Sequence, residues 1–204
     1  MTDQQLLTEL LAERSSRKGH FVLASGRESQ FYIDARLTTM SPDGLALIGR
    51  LGLSALHQSG WRLDAVGGLT LGADPIAYAI SYASAGSTHP LRAFTVRKEA
   101  KTHGTGKLIE GPFKKGDHVA VIEDVITSGG SALRAIEAVR AADGIVSGVL
   151  AVVDREEGGR DTLTSANVPV VALTTASQIM AVLERRADQQ TSPSASIQDK
   201  RPRA

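Results

Sequence analysis

Apolar residues come in short runs punctuated by glycine, serine and charge. Residues 65–68, 91–96, 119–123, 145–153 and 168–173 have the length and β-branched content of buried strands. Helical spacing appears between them. Leu45, Ile48, Gly52, Ala55 and Leu56 form one stripe, opened by Ser41 as N-cap and Pro42 at the first helical position. Helices are also expected at about 75–85, at 131–142 (stopped by Gly144) and at 176–186. Near the start, Thr2 and Gln5 fit a capping box, and Leu6, Leu7, Leu10 and Leu11 share a helical face. Residues 20–23 and 30–34 read as strands joined by a turn at Ser25-Gly26-Arg27. Strands alternating with helices predict an α/β fold with a mostly parallel central sheet flanked by helices. In such sheets ligands bind beyond the carboxyl ends of the strands.

Composition narrows the class without naming a chemistry. The chain has 204 residues, 42% hydrophobic and 22% charged, enough for one domain with a core. A formal net charge of +1 gives no global reason to expect a nucleic-acid binder. There is no cysteine, hence no disulfide framework and no thiolate metal site. The N-terminus lacks the basic start and apolar run of a signal peptide, and no stretch is apolar enough to span a bilayer. A soluble, cytoplasmic protein is expected. Residues 187–204 change character, with Ile197 as their only large aliphatic, and are expected to form a disordered polar tail after a domain of residues 1–186.

The stretch VAVIEDVITSGGSALRAI, residues 119–136, carries the first candidate chemistry. An apolar strand ends in Glu123 and Asp124, and Thr127, Ser128, Gly129, Gly130 and Ser131 lead into a helix. Backbone N–H groups at a helix N-terminus, with hydroxyls beside them, make an anion site that suits a phosphate monoester. The two carboxylates would repel a bare phosphate. They suit a ligand that also carries hydroxyls or a bound Mg²⁺. A sugar phosphate meets both demands. The loop alone also fits a plain βα connection with a Ser or Thr cap and solvated acids. It lacks the GK[ST] ending of a P-loop and the spacing of a dinucleotide fingerprint.

An acidic strand end followed by a Thr/Ser/Gly run resembles the signature that binds 5-phospho-α-D-ribosyl 1-diphosphate (PRPP) in type I phosphoribosyltransferases. A second stretch, RKEAKTHGTGKLIEG at residues 97–111, is rich in cations and too polar to pack. By itself it reads as a solvated basic loop. It closely resembles the flexible catalytic loop of orotate phosphoribosyltransferases. FVLASGRESQFYIDAR and VVDREEGG resemble two further segments of that family, and the likeness spans about residues 1–186 in the expected order.

The resemblance implies a type I phosphoribosyltransferase fold with a small N-terminal hood and a mobile lid at about 97–111. It implies transfer of the 5-phosphoribosyl group from PRPP to orotate in pyrimidine (UMP) biosynthesis, giving orotidine 5′-monophosphate and diphosphate. Glu123 and Asp124 would face the ribose hydroxyls, with Val125, Ile126, Thr127, Ser128, Gly129, Gly130 and Ser131 around the 5′-phosphate. Arg97, Lys98, Lys101 and His103 would meet the diphosphate, with Lys101, His103 and Asp124 catalytic. Thr127 and Arg155 would contact orotate, and Phe31 and Tyr32 are candidates to flank the base. Read alone, Arg155 fits a surface salt bridge with Glu156 or Glu157, and the two aromatics fit plain core. Mg²⁺ would arrive largely on PRPP, with no dedicated protein metal cage, and a homodimer with shared active sites is implied. No nucleic-acid or membrane partner is expected. Two departures stand out: Ala24 replaces a lysine found in some members, and GGLTLGADP lacks a Tyr-Lys pair that some carry. The alternatives are transfer to another nucleobase and a non-catalytic PRPP sensor.

Overall fold

A computed structural model describes residues 1–22, 28–99 and 107–191. Two sheets form. Strands β1 (Ser16–Val22) and β2 (Glu28–Ile33) make a two-stranded antiparallel ribbon. The main sheet has six strands: β3 (Ala65–Leu69), β4 (Arg92–Val96), β5 (Ile109–Glu110), β6 (His118–Ile126), β7 (Ile145–Asp154) and β8 (Val170–Thr175). Their order is β5-β4-β3-β6-β7-β8, parallel throughout except for the short edge strand β5. The chain runs outward from β3 in one direction, then returns to build the other side from β6. The β3–β6 seam is therefore the topological switch point, where such sheets open a crevice.

Alternation along β6 assigns the two faces. Ala120 and Ile122 pack with Leu7 and Leu11 of α1 (Asp3–Leu10 and a π-helical turn after it). Leu47, Ile48 and Leu56 of α3 (Pro42–Gln58) join that core, as do Ile76 and Ile80 of α4 (Ala73–Ser84) and Ile179 of α7 (Ala176–Thr191). Val119 and Val121 face Ala135, Ile136 and Val139 of α5 (Gly130–Ala141) and Leu163 of α6 (Gly159–Ser165). A four-residue helix, α2 (Arg36–Thr39), follows β2. The capping box at Thr2 and Gln5 forms, and Ser41 accepts from the Gly44 N–H ahead of Pro42.

The structure differs from the sequence expectations at several boundaries. Strand β6 continues past the acids, because Val125 and Ile126 pair with Val153 and Asp154 on the longer β7. Glu123 and Asp124 thus lie within the strand rather than at its end. The ribbon starts at Ser16 rather than at residue 20. Helix α7 runs to Thr191, five residues beyond the expected 186, since Ala187 to Thr191 are polar without being helix-breaking. Ile109 and Glu110, taken for lid, pair with β4 and pin its far end. The short α2 and α6 were not expected. Leu23, Ala24 and the turn at Ser25-Gly26-Arg27 lie outside the described residues, as do Lys101, His103 and residues 192–204.

At the amino ends of the strands, Trp61 lies over Gly148 of β7, where a Cβ would overlap the indole ring. Gly148→Ala is expected to lower unfolding free energy by about 1–3 kcal/mol through overpacking. Denaturant titration followed by tryptophan emission checks this, and an unchanged midpoint would count against the contact.

Candidate active site

A cleft of about 350 Å³ crosses the carboxyl ends of four strands. Sheet order sets its sequence of walls: Lys98 beyond β4, Leu69 to Gly72 at the end of β3 and beyond it, Glu123, Asp124, Val125 and Thr127 on and beyond β6, and Arg155 beyond β7. At a strand spacing of about 4.8 Å, that row spans roughly 14 Å. Ser131 and Arg134 of α5 close one side, and residues 32–36 of the ribbon and α2 close the other.

Glu123 is 8% exposed and Asp124 is half-buried beside it. Burial first, and the neighbouring Asp124 second, push the Glu123 carboxyl up to about 8, with Arg134 opposing the shift. Asp124 accepts from the Val125 N–H at 2.9 Å. Its carboxylate also lies against the backbone of Gly72, where a Cβ would come within 2.7 Å of Oδ1. Only a residue without a side chain lets the β3 loop approach the acid so closely. The Thr70–Leu71 peptide in this loop is cis.

The β6–α5 connection has the geometry of an anion site. Gly129 adopts φ 85° as the N-cap of α5 and provides no side-chain cap, so the first-turn N–H groups have no intrahelical acceptor. Thr127 and Ser131 line the cleft, whereas Ser128 and Gly130 are exposed at its rim. Val125 lines the cleft; Ile126 does not. The Ile126 side chain is buried in the core, and its carbonyl accepts from the Arg155 N–H at 2.9 Å. Behind the loop, Gly159 packs so tightly that a Cβ would strike the Thr127 carbonyl and the Ile126 side chain. This gives Gly159 a physical role: it lets α6 back the loop.

Arg155 is 8% exposed, lines the cleft and donates to the Phe31 carbonyl at 3.2 Å. It also pairs with Glu157 at 2.6 Å. The ion pair expected from sequence alone therefore exists, but it is buried at the cleft wall rather than on the surface. Phe31 and Tyr32 point to opposite faces of β2. Phe31 joins the core and Tyr32, 39% exposed, lines the cleft, so the two do not flank a ligand together. Lys98 lines the cleft. Arg97 does not: it turns away and pairs with Glu110 at 3.6 Å.

Two cleft-lining cations were missed in the sequence. Arg134 lies three residues after Ser131 and donates to its hydroxyl at 3.3 Å, a helical spacing that was readable. Arg36 grips Asp34 through two bonds of 2.8 and 3.0 Å, which holds the Asp34 carboxyl below its usual range. It sits on a helix too short to leave a periodic signal.

No family model matches the chain. Curated relatives do. The orotate phosphoribosyltransferase of Aquifex aeolicus is 43% identical over 183 residues, 88% of this chain and 99% of that protein. That of Sorangium cellulosum is 46% identical over 176 residues, 85% and 91% of the two chains. Among solved structures, Mycobacterium tuberculosis orotate phosphoribosyltransferase in complex with PRPP superposes with a TM-score of 0.72 at 37% identity, covering 88% of this chain and 99% of that one. Leishmania donovani adenine phosphoribosyltransferase, at 18% identity and TM-score 0.61, shares the fold alone.

Because Glu123 holds its proton up to about pH 8 when folded and loses it near its ordinary 4.5 when unfolded, its contribution is full below pH 4.5. It is then lost as pH rises to 8. Glu123→Gln, which mimics the protonated acid, is expected to gain stability over the parent across that window, by at most about 5 kcal/mol. Denaturant unfolding of the ligand-free proteins from pH 4 to 9 checks this; parallel profiles would refute the shift.

Proposed function

The chain belongs to the orotate phosphoribosyltransferase family, and we propose that the row of walls across the cleft divides its two substrates into successive subsites. The enzyme transfers the phosphoribosyl group of PRPP to orotate. The observation that carries the subsite reading is the strand order: cation, loop, paired acids and arginine follow one another along a single cleft. Diphosphate then lies over Lys98 and Leu69 to Gly72, ribose over Glu123 and Asp124, and the 5′-phosphate in the Thr127–Ser131 loop. Orotate reaches Arg155, whose guanidinium suits a carboxylate or a ring carbonyl.

The chemistry asks for position and charge. As the bond from C1′ to the diphosphate breaks, positive charge grows on the ribose and negative charge on the leaving group. The half-buried Asp124 carboxylate sits under the former. Lys98 meets the latter, joined in this reading by the lid residues Lys101 and His103. Glu123, protonated in the empty cleft at neutral pH, has an O–H to offer a ribose hydroxyl. Mg²⁺ would be held through PRPP: the adjacent acids of the cleft would offer fewer oxygens than the six the ion takes, so PRPP oxygens and water would supply the rest. Its chemistry there would be to neutralise charge on the diphosphate.

A homodimer with shared sites fits two observations. Arg97 and Lys98 are adjacent yet diverge, Lys98 into its own cleft and Arg97 away from it. Leu71 in the cleft, Tyr78 and Tyr82 on α4, Leu37 on α2 and Met40 just after it are large and exposed. In this reading a second copy covers them and receives Arg97 and the lid. Among the described residues no helix is long and apolar enough to cross a membrane.

Loss of orotate absorbance is expected only with PRPP and Mg²⁺ present, and not with adenine, guanine, xanthine or uracil as acceptor. Turnover of another base would overturn the orotate assignment, and PRPP binding without any turnover would favour a sensor. Arg97→Ala and Lys98→Ala subunits, each impaired alone, should together recover about half the parental activity in purified heterodimers, since one shared site then keeps both cations. No recovery would sink the sharing.

A further inference from the structure

The loop after β3 has no lysine, so any hold it exerts on an anion comes from main-chain N–H groups. A lysine adapts its reach, but a backbone donor works only where the loop is fixed. The structure contains the fixing group. Asp74, in the first turn of α4, accepts from the Thr70 hydroxyl at 2.6 Å through Oδ2 and from the Thr95 hydroxyl at 2.8 Å through Oδ1. The single proton of Thr95 is thereby committed, so the 2.8 Å contact between Thr95 and Tyr78 has Tyr78 as donor. The Thr70 N–H meanwhile donates to the Val96 carbonyl at 2.9 Å.

These bonds join two separate segments. Thr70 begins the loop whose Leu71 and Gly72 line the cleft and whose Gly72 backs Asp124. Thr95 and Val96 end β4, just before Arg97 and Lys98. Asp74, Thr95 and Tyr78 do not themselves line the cleft. We propose that Asp74 is a positioning residue that locks the β3 loop to the root of the cationic segment, so that both walls of the diphosphate subsite keep one spacing. This rests on the PRPP reading of the cleft. Its consequence is selective: the diphosphate end loosens when the lock is cut, while the orotate end, built from β7 and the ribbon, does not.

The test compares Asp74→Asn, Thr95→Val and Thr95→Ser, varying PRPP and orotate separately and running the reverse reaction with diphosphate. Asp74→Asn should raise KM for PRPP and for diphosphate about tenfold and Thr95→Val about three- to fivefold, with KM for orotate within about twofold. Thr95→Ser, which restores the hydroxyl, should return both constants to near the parental value. An unchanged KM for PRPP in Asp74→Asn and Thr95→Val overturns the proposal, and so does an equal rise for both substrates. If Asp74→Asn fails to fold, the Thr95 pair decides alone. Direct titration with PRPP reads the same change without turnover, so an error in the acceptor base leaves this test standing.

Discussion

Everything at this site depends on the parallel register of β3 between β4 and β6. It brings the loop at Thr70 to Gly72 level with the acids at positions 123 and 124, which are placed in mid-strand. A carboxyl held in a strand and covered on both faces is costly to ionise, hence the raised affinity of Glu123 for its proton. Asp124 is less buried and leans outward onto Gly72. Two neighbouring acids thus meet different surroundings, one enclosed in the sheet and one against the β3 loop.

The same device recurs at the other end of the cleft. Gly159 admits α6 against the Thr127 carbonyl, as Gly72 admits the β3 loop against Asp124. Both ends of the proposed sugar phosphate subsite are thus set by backbone pressed on backbone or on a short acid. The proposed base end is built differently. Arg155 is held by the Phe31 carbonyl and by Glu157, side-chain contacts that a few substitutions can rearrange. The rigid half suits the substrate common to all phosphoribosyl transfer, and the adjustable half suits the acceptor.

Much of this was legible in the sequence because it is local. The apolar strand, the adjacent acids and the hydroxyl-glycine run lie within fifteen residues, and their order encodes a strand, a loop and a helix start. What stayed hidden is contact between segments far apart in the chain. Nothing near Asp74 in sequence announces Thr95, and nothing near Arg97 says that it turns from the cleft while Lys98 enters it. The extra length of β6 was also invisible, because Val125 and Ile126 are kept in the strand by a partner on β7. Arg134 is the exception: counting one turn from Ser131 would have found it.

Trp61 is the only tryptophan in the chain, and it lies against Gly148 at the amino ends of the strands, across the sheet from the cleft. Its emission is a built-in gauge of whether the sheet is intact, and it has no direct view of substrate. A variant with parental fluorescence and poor turnover has therefore lost chemistry, not structure. The protein carries its own internal standard for separating the two.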